Sequence, residues 1–241
     1  MQTIELSNLA IVLIPAVLVV IIQWRWKLTA NTSLHALARM MIQLSLIGYA
    51  LSYIFNTENS LLVLAVLSVM LIASSWIALR SVPERRNELF FVALTSTIIV
   101  NALLLALITQ LVLESDPWYA PRVVIPLAGM VFAAGMNSIS LFAERYFSEI
   151  KSSELKNSEL KQDCDEILAR NTAYQATLIP TINSLFAVGL VSLPGMMTGQ
   201  ILSGVSPLIA VRYQIMIMLM LFASAGLTTA LFYILLKRKK I

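Results

Sequence analysis

The sequence predicts an all-α, polytopic integral membrane protein. Of its 241 residues, 59% are hydrophobic and only 12% are charged, whereas about a quarter of an ordinary soluble domain is charged. Seven stretches lack Asp, Glu, Lys and Arg, and each has at least 18 residues, close to the roughly 20 that span a bilayer as a helix. Their apolar residues run on without alternation, which favours helices over barrel strands. The seven stretches are residues 6–24, 40–57, 59–79, 89–113, 123–143, 171–211 and 213–236.

The first five stretches each predict one membrane-spanning helix, because short charged segments separate them. Aromatic residues lie at their edges, as in the aromatic belts at membrane surfaces. These are Trp24, Trp26, Trp118 and Tyr119.

The 17 Lys and Arg residues predict the orientation. With the N-terminus outside and one crossing per stretch, all of them except Arg122 and Arg212 fall on the cytoplasmic side, as the positive-inside rule expects. We therefore expect about seven transmembrane helices in a single domain, residues 1–241, with the N-terminus outside and the C-terminus inside.

Residues 143–177 form a highly charged segment between the fifth and sixth stretches, with nearly balanced acidic and basic residues. Its first part is expected to extend the fifth helix into the cytoplasm. Farther on, apolar residues return to helical spacing, which predicts a short helix lying across the cytoplasmic surface, where a partner can touch it. A charged spacer that contacts nothing is the alternative. The candidate contact residues are Cys164, Ile167, Leu168, Arg170 and Tyr174.

Residues 171–211 are too long for one crossing, yet two crossings would leave the basic tail at 237–240 outside, against the charge bias. Pro and Gly recur here, and the Leu-Pro-Gly at 193–195 breaks a helix. We expect a helix from about 178, a break near 192–195 and a re-entrant or interfacial piece up to 207 before the last crossing. A proline-kinked helix followed by a polar loop at 198–207 is the alternative.

The composition excludes several kinds of chemistry. One Cys and one His cannot form a multi-cysteine or histidine-based metal centre. The sequence contains no Walker A loop, HExxH or GxSxG motif, so we expect no catalytic residues, no cofactor in this chain and no ATPase of its own. The basic residues form no nucleic-acid motif. An ion-coupled secondary transporter is an alternative class, although no intramembrane charge or inverted repeat stands out.

A long motif runs across the expected break. Residues 188–200 read VGLVSLPGMMTGQ, residues 178–181 read LIPT and residues 124–130 read VIPLAGM. Together these runs resemble the signature of the Fet-type iron-export ABC permeases, whose relatives include plant aluminium-tolerance membrane subunits. The similarity extends over nearly the whole chain.

The resemblance implies a permease subunit in the inner, cytoplasmic membrane, in contact with lipid. It would pair with a second copy of itself and with ABC-type ATP-binding subunits that hold ATP and Mg²⁺. The exported cargo would be a metal ion, iron in the bacterial members; a non-metal cargo such as a lipid or sugar conjugate is the alternative. By this resemblance, the contact residues at 164–174 become candidates for coupling to the ATPase.

Two departures from the family pattern stand out. Where the family commonly has a Gly-Asn pair, this chain has Ala133 and Ala134, with Gly135 one place later. The family's Leu-Gly-Ala-Thr stretch, expected in the helix that docks the ATPase, aligns with Glu159 and Leu160. An altered ATPase partner or cargo is therefore a hypothesis for this chain.

The residues expected in a transport pathway or gate are amides within the apolar stretches and the residues of the break. Buried amides need partners, so each of them either lines the pathway or links helices. Methionines are expected mainly to fill packing gaps, because thioethers favour softer ions than iron(II). No metal ligand can be named. The candidates are Gln43, Asn101, Gly129, Met130, Asn183, Ser192, Leu193, Pro194, Gly195, Met196 and Met197.

Overall fold

The computed structural model describes residues 5–56, 59–155 and 162–239, and the regular elements within them are helices, as predicted. Two compact units divide the chain between residues 57 and 58. The first contains α1 (Leu6–Arg25) and α2 (Ala30–Ile54). The second contains α3 (Ser60–Ala78), α4 (Arg86–Ala106), α5 (Pro121–Leu155), α6 (Gln162–Ala187), α7 (Gly195–Leu202) and α8 (Pro207–Arg238). Two 3-10 turns, Leu79–Ser81 and Pro83–Arg85, join α3 to α4, and the π-helical turn Leu107–Val112 extends α4.

Five helical segments in the described part of the chain are long and apolar enough to cross a membrane, so the chain is a polytopic membrane protein. Helix α1 contributes a shorter apolar segment, Ala10–Arg25, and α6 begins with charged residues that lower its mean hydropathy. The count of seven crossings therefore stays a prediction. The five segments are Ala30–Ile54, Ser60–Ser81, Pro83–Val112, Pro121–Ser152 and Pro207–Arg238.

Helices α1 and α2 pack on each other in the first unit. Helix α2 begins at Ala30, ten residues before the uncharged stretch that starts at residue 40. Residues 31–39 are polar in part but contain no Gly or Pro, so nothing stops them from being helical. The turn before α2 is made at Lys27, whose φ is 57°.

Helix α5 is central to the second unit and packs on α3, α4, α6 and α8. Two clusters of buried side chains hold these helices together. One cluster, which we call the base, joins the end of α3 and the start of α4 to α5, α6 and α8. It includes Phe142, Tyr146, Ala169, Ala173, Phe232 and Tyr233. The other joins α4, α5 and α8 and includes Leu105, Leu127, Val131, Ile217 and Met220.

The charged segment folds differently from the expectation. Helix α5 continues past its apolar stretch to Leu155, as predicted. The separate surface helix around 164–174 was a wrong prediction, because these residues form the first half of α6, a single helix that runs to Ala187. The helix cannot lie apart on the surface because Ala169 and Ala173 are buried in the base. Residues 156–161, with Glu159 and Leu160, lie outside the described residues.

Helix α6 is broken, not kinked, at the motif that predicted a break. The helix ends at Ala187, and the next helix, α7, begins at Gly195. In between, the Ala187 carbonyl accepts hydrogen bonds from the N–H groups of Val191 at 2.8 Å and Ser192 at 3.1 Å. The alternative of a proline-kinked helix with a polar loop at 198–207 is therefore wrong, since residues 195–202 are helical.

A glycine cap ends α7. The N–H of Val205 donates to the Gln200 carbonyl and that of Gly204 to the Ile201 carbonyl, both at 3.0 Å. This is the Schellman pattern, which needs a left-handed residue at the position of Gly204, and Gly204 has a φ of 91°. Pro207 then begins α8. We call residues 188–206, with α7 and both of its flanking turns, the break.

Candidate functional site

A cavity of about 350 Å³ lies between α5, α6 and α8, beside the turn that follows α6. Helix α5 contributes Ala134, Asn137, Ser138 and Leu141, and α6 contributes Thr177, Pro180, Thr181 and Ser184. The turn adds Val188, Ser192 and Pro194, and α8 adds Met218 and Leu221. Among these described residues no side chain carries a charge. The cavity therefore offers hydroxyl, amide and apolar surfaces only.

Helical spacing explains the wall that α6 provides. Thr177, Thr181 and Ser184 are four and three residues apart, so they lie on one face of the helix. Thr177 is 1% exposed, whereas Ser184 is exposed, so the polar face runs from the packed interior toward the break.

Two hydroxyls of this wall donate their protons to carbonyls of α6 itself. Thr177 Oγ1 donates to the Ala173 carbonyl at 2.8 Å, and Ser184 Oγ donates to the Pro180 carbonyl at 2.9 Å. Their oxygens still have lone pairs that can accept. Pro180 has no N–H, so the carbonyl four residues before it loses its usual helical partner. The α6 wall therefore presents acceptors to the cavity at Thr177 and Ser184.

The turn after α6 supplies the remaining polar side of the cavity. Gly189 has a φ of 82°, and its N–H donates to the Ser192 carbonyl at 3.0 Å. This left-handed conformation is accessible to glycine at no steric cost. The turn thereby brings Ser192 and Pro194 to the cavity.

Of the candidate pathway residues, only Ser192 and Pro194 line this cavity. Asn183 is exposed on α6 and does not contribute. Leu193 is 62% exposed. Gln43 is exposed on α2, in the other compact unit.

Gly195 has an ordinary backbone conformation, and its role in a gate stays a prediction. It has no positive φ, and nothing lies within 4 Å of the position a Cβ would take. It begins α7 as an ordinary helical residue. The left-handed glycines of the break are Gly189 and Gly204 instead.

The other glycine and methionine candidates belong to helix packing. A Cβ on Gly129 would lie 3.4 Å from the Met70 Cε on α3. Met130 and Met196 pack against the buried cluster that joins α4, α5 and α8, and Met197 is half-buried. The expectation that methionines fill packing gaps is confirmed for Met130 and Met196.

Asn101 lies at the centre of a buried network between α4, α5 and α8. Its side chain is fully buried. The Ser224 hydroxyl lies 2.8 Å from Asn101 Oδ1 and 3.0 Å from the Val131 carbonyl oxygen, two acceptors for its one proton. A Cβ on Gly135 would lie 3.2 Å from Asn101 Nδ2. Asn101 therefore links helices, and Gly135 gives it the space to do so.

The candidate coupling residues lie along the first half of α6. Ile167 and Leu168 are 46% and 64% exposed. Arg170 lies over the Tyr233 ring, 5.7 Å from its centroid, and the Tyr174 hydroxyl donates to the Gly226 carbonyl at 3.4 Å. Tyr174 therefore faces the bundle, whereas Ile167 and Leu168 face away from it. The Cys164 side chain lies outside the described part of the structure.

Polar contacts anchor the base beside these residues. The Tyr233 hydroxyl donates to Glu166 Oε1 at 2.8 Å, and Lys237 Nζ lies 3.3 Å from the same oxygen.

Within residues 5–56, 59–155 and 162–239, no three His, Cys, Asp or Glu side chains group closely enough to hold a metal ion. The polar side chains among the described residues that line the cavity are neutral hydrogen-bonding groups.

Comparison with known proteins decides the family. Residues 6–241 match the profile described as "Uncharacterised protein family (UPF0014)". This chain belongs to the UPF0014 family. The resemblance to the Fet-type permeases, suggested by the VGLVSLPGMMTGQ motif, is confirmed. A protein described as a probable iron export permease matches 97% of this chain.

Three UPF0014 relatives illustrate the range of similarity. UPF0014 membrane protein slr1647 of Synechocystis is 35% identical over 88% of this chain and 83% of its own length. The "Probable iron export permease protein FetB" of Escherichia coli is 32% identical over 97% of this chain and 91% of its own. "Protein ALUMINUM SENSITIVE 3" of Arabidopsis thaliana is 31% identical over 91% and 81%, respectively. No solved structure matches the chain.

Most cavity residues of this UPF0014 protein were not among the predicted site residues. Ser138, Thr177, Thr181 and Ser184 were overlooked, because single hydroxyls in apolar helices commonly bond to their own backbone. A signal was nevertheless present. The polar spacing of residues 177, 181 and 184 marks one helix face directly before the signature motif.

Proposed function

We propose that this chain is the permease subunit of an ABC transporter that exports a metal ion across the inner, cytoplasmic membrane. Iron is the proposed cargo, by similarity to the probable iron export permease FetB, which matches over 97% of this chain. The observation that carries the proposal is a cavity that combines apolar surface with hydroxyl and amide groups, and to which the motif contributes Val188, Ser192 and Pro194. A broken helix beside a cavity is the arrangement that transporters use for binding sites.

The proposed topology has seven crossings, with the N-terminus outside and the C-terminus inside. Residues 1–241 would form one transmembrane domain, in which the charged segment 143–177 lies in the cytoplasm. The distribution of Lys and Arg supports this orientation. The base then lies toward the cytoplasmic side, since Lys237 and Arg238 end α8 beside it.

The proposed assembly contains a second copy of this chain and two ABC-type ATP-binding subunits. These partners would hold ATP and Mg²⁺, and their closure would supply the energy that shifts the inward and outward populations. The exposed pair Ile167 and Leu168 is the proposed contact with the ATPase. Arg170 and Tyr174 connect that contact to α8 through Tyr233 and Gly226. Cys164 stays a candidate for the same contact.

Transport in reconstituted vesicles tests this proposal. Vesicles that contain the chain and its ATPase should export iron only when ATP and Mg²⁺ are supplied on the side of the ATPase. Leu168→Asp should leave ATP hydrolysis running but abolish transport, because a charge weakens an apolar contact between subunits. Leu168→Met, which keeps the contact apolar, should transport normally.

Two results would contradict the proposal. One is iron movement that persists without ATP or follows an ion gradient, which is the behaviour of a secondary transporter. The other is equal transport by Leu168→Asp and Leu168→Met, which would remove this surface from the coupling contact.

A further inference from the structure

None of the described residues that line the cavity carries a negative charge that could balance the charge of a bare metal ion. The polar residues among them, such as Asn137, Thr181 and Ser192, are neutral. Iron(II) in proteins is held mainly by imidazole and carboxylate ligands. Taking a divalent ion out of water without such partners is strongly unfavourable. A bare ion is therefore a poor match for this site.

The size of the cavity points the same way. At about 350 Å³, it falls within the range of roughly 300 to 1,000 Å³ that is typical of sites for small organic molecules. A metal ion bound directly by protein side chains needs only the small space between its ligands. The cavity is large enough for a metal that keeps its own ligands.

The hydrogen-bonding groups in the wall are mixed in kind. Thr177 and Ser184 donate to their own helix, so they present acceptors to the cavity. The Asn137 amide can both donate and accept, as can the hydroxyls of Thr181 and Ser192. A partner for this wall must itself carry outward-facing acceptors and donors. The organic ligands of a metal complex, with carbonyl, hydroxyl or amide groups, have this character.

We infer that the cavity binds iron as a preformed, oxygen-ligated complex of low net charge, and not as the bare divalent ion. The inference rests on the proposed function, since it specifies the form of the cargo. The ligands of the complex coordinate the metal and balance its charge. Asn137, Thr181 and Ser192 form hydrogen bonds to those ligands. The metal itself makes no bond to the protein.

Equilibrium binding to the full chain in lipid nanodiscs tests this inference. The probes are tris(acetohydroxamato)iron(III), which is uncharged, iron(II) kept reduced by ascorbate, and free acetohydroxamic acid. The complex should bind saturably and more tightly than either of the other two probes. Radioactive iron followed by dialysis measures the two iron probes on one scale, and labelled acetohydroxamate measures the third.

Variants locate the binding in the cavity. Thr181→Val should weaken binding of the complex about five-fold, the usual effect of losing one hydrogen bond, and Asn137→Leu combined with it about 25-fold. Thr95→Val is the matched control, because Thr95 is exposed on α4 and does not line the cavity. It should bind the complex as the unaltered chain does.

Several outcomes would overturn the inference. They are binding of iron(II) as tight as that of the complex, equal binding of free acetohydroxamic acid, no binding of any probe, or the same affinity in Thr181→Val and Thr95→Val. Failure of the proposed function has a different signature. Binding of the complex would persist, but vesicles with the ATPase would show no ATP-driven export.

Discussion

The base packs against the first half of α6, and the break follows the end of the same helix, but the two regions differ in burial and in the contacts that hold them. In the base, Phe142 and Phe232 are both below 2% exposed, with ring centroids 6.1 Å apart. In the break, Leu190 and Val191 are 91% and 85% exposed. The α7 helix contains no buried residue among those described. Buried side chains hold the base together, whereas backbone hydrogen bonds and the packing of Met196 hold the break.

This difference indicates which part of the protein can move. Segments with few buried contacts open at low free energy, and well-packed clusters open only with the whole fold. The cavity lies between the two regions, with Thr177 toward the base and Ser192 in the break. We therefore expect the α5 and α6 walls to stay fixed while the break changes the access to the cavity.

The largest expected effect comes from emptying the base. Phe232→Ala should lower the free energy of unfolding by about 3 to 5 kcal/mol, because it leaves a cavity in a tightly packed cluster. Thermal unfolding in detergent measures this, with Ile234→Ala as the control, since Ile234 is 47% exposed on the same helix. Equal unfolding temperatures for the two variants would show that the base is not the stabilising cluster.

A change in the Asn101 network measures how much buried polar contacts stabilise the middle of the bundle, in comparison with the base. Ser224→Ala removes the hydroxyl that lies 2.8 Å from Asn101 Oδ1 and leaves a buried acceptor without that donor. The free energy of unfolding should fall by about 1 to 3 kcal/mol. Ser68→Ala is a suitable control, because Ser68 is exposed and bonds only to its own helix. A Ser224→Ala protein as stable as this control would exclude a structural role for the network.

In the break, the conformation of one glycine should matter more than any contact. Gly189→Ala should cost about 1 to 2 kcal/mol, because a left-handed residue with a Cβ is strained, and should slow transport by distorting the turn that carries Ser192. Gly195→Ala should change neither property, since Gly195 has no positive φ and open space around it. The paired measurement is transport in vesicles together with unfolding in detergent. If Gly195→Ala proves the more harmful change, the turn is not built as described.

The smallest effect is expected at the surface of the base. Lys237→Ala removes the contact of Lys237 Nζ with Glu166 at 3.3 Å. It should cost less than about 1 kcal/mol, because exposed ion pairs contribute little. The hydrogen bond from the Tyr233 hydroxyl to Glu166 remains. Unfolding at low and high salt measures the effect, and a larger loss that disappears in high salt would show that charges hold the base together.

The contrast between these regions also explains what the sequence could predict. The helical fold and the position of the break follow from strong local signals, namely long apolar runs and the Pro and Gly residues of 188–207. The glycines that adopt a left-handed conformation could not be predicted, because this conformation depends on which hydrogen bonds close the turn. Gly189, Gly195 and Gly204 look alike in the sequence. Only the bonds around Ala187 and Gln200 distinguish them.

The extent of α6 was missed for a different reason. Charged residues at its start suggested a separate surface segment, but two alanines of that segment, Ala169 and Ala173, fit against the aromatic rings of the base. Such packing depends on residues about 60 positions away in the chain, at Phe232 and Tyr233. Local composition does not contain that information. The same holds for the cavity, whose walls come from three helices.

The length of α5 has a mechanical consequence. Its 35 residues extend about 52 Å at 1.5 Å per residue, whereas the hydrocarbon layer is about 30 Å thick. The helix is continuous, and its residues Phe142 and Tyr146 are packed in the base. Its last residues, 151–155, follow this contact with the base, and Asn137 in the cavity wall precedes it. The cluster that contains Leu127 and Val131 holds α5 on the cavity side as well, so α5 is a rigid support that keeps the cavity wall at a fixed distance from its charged end.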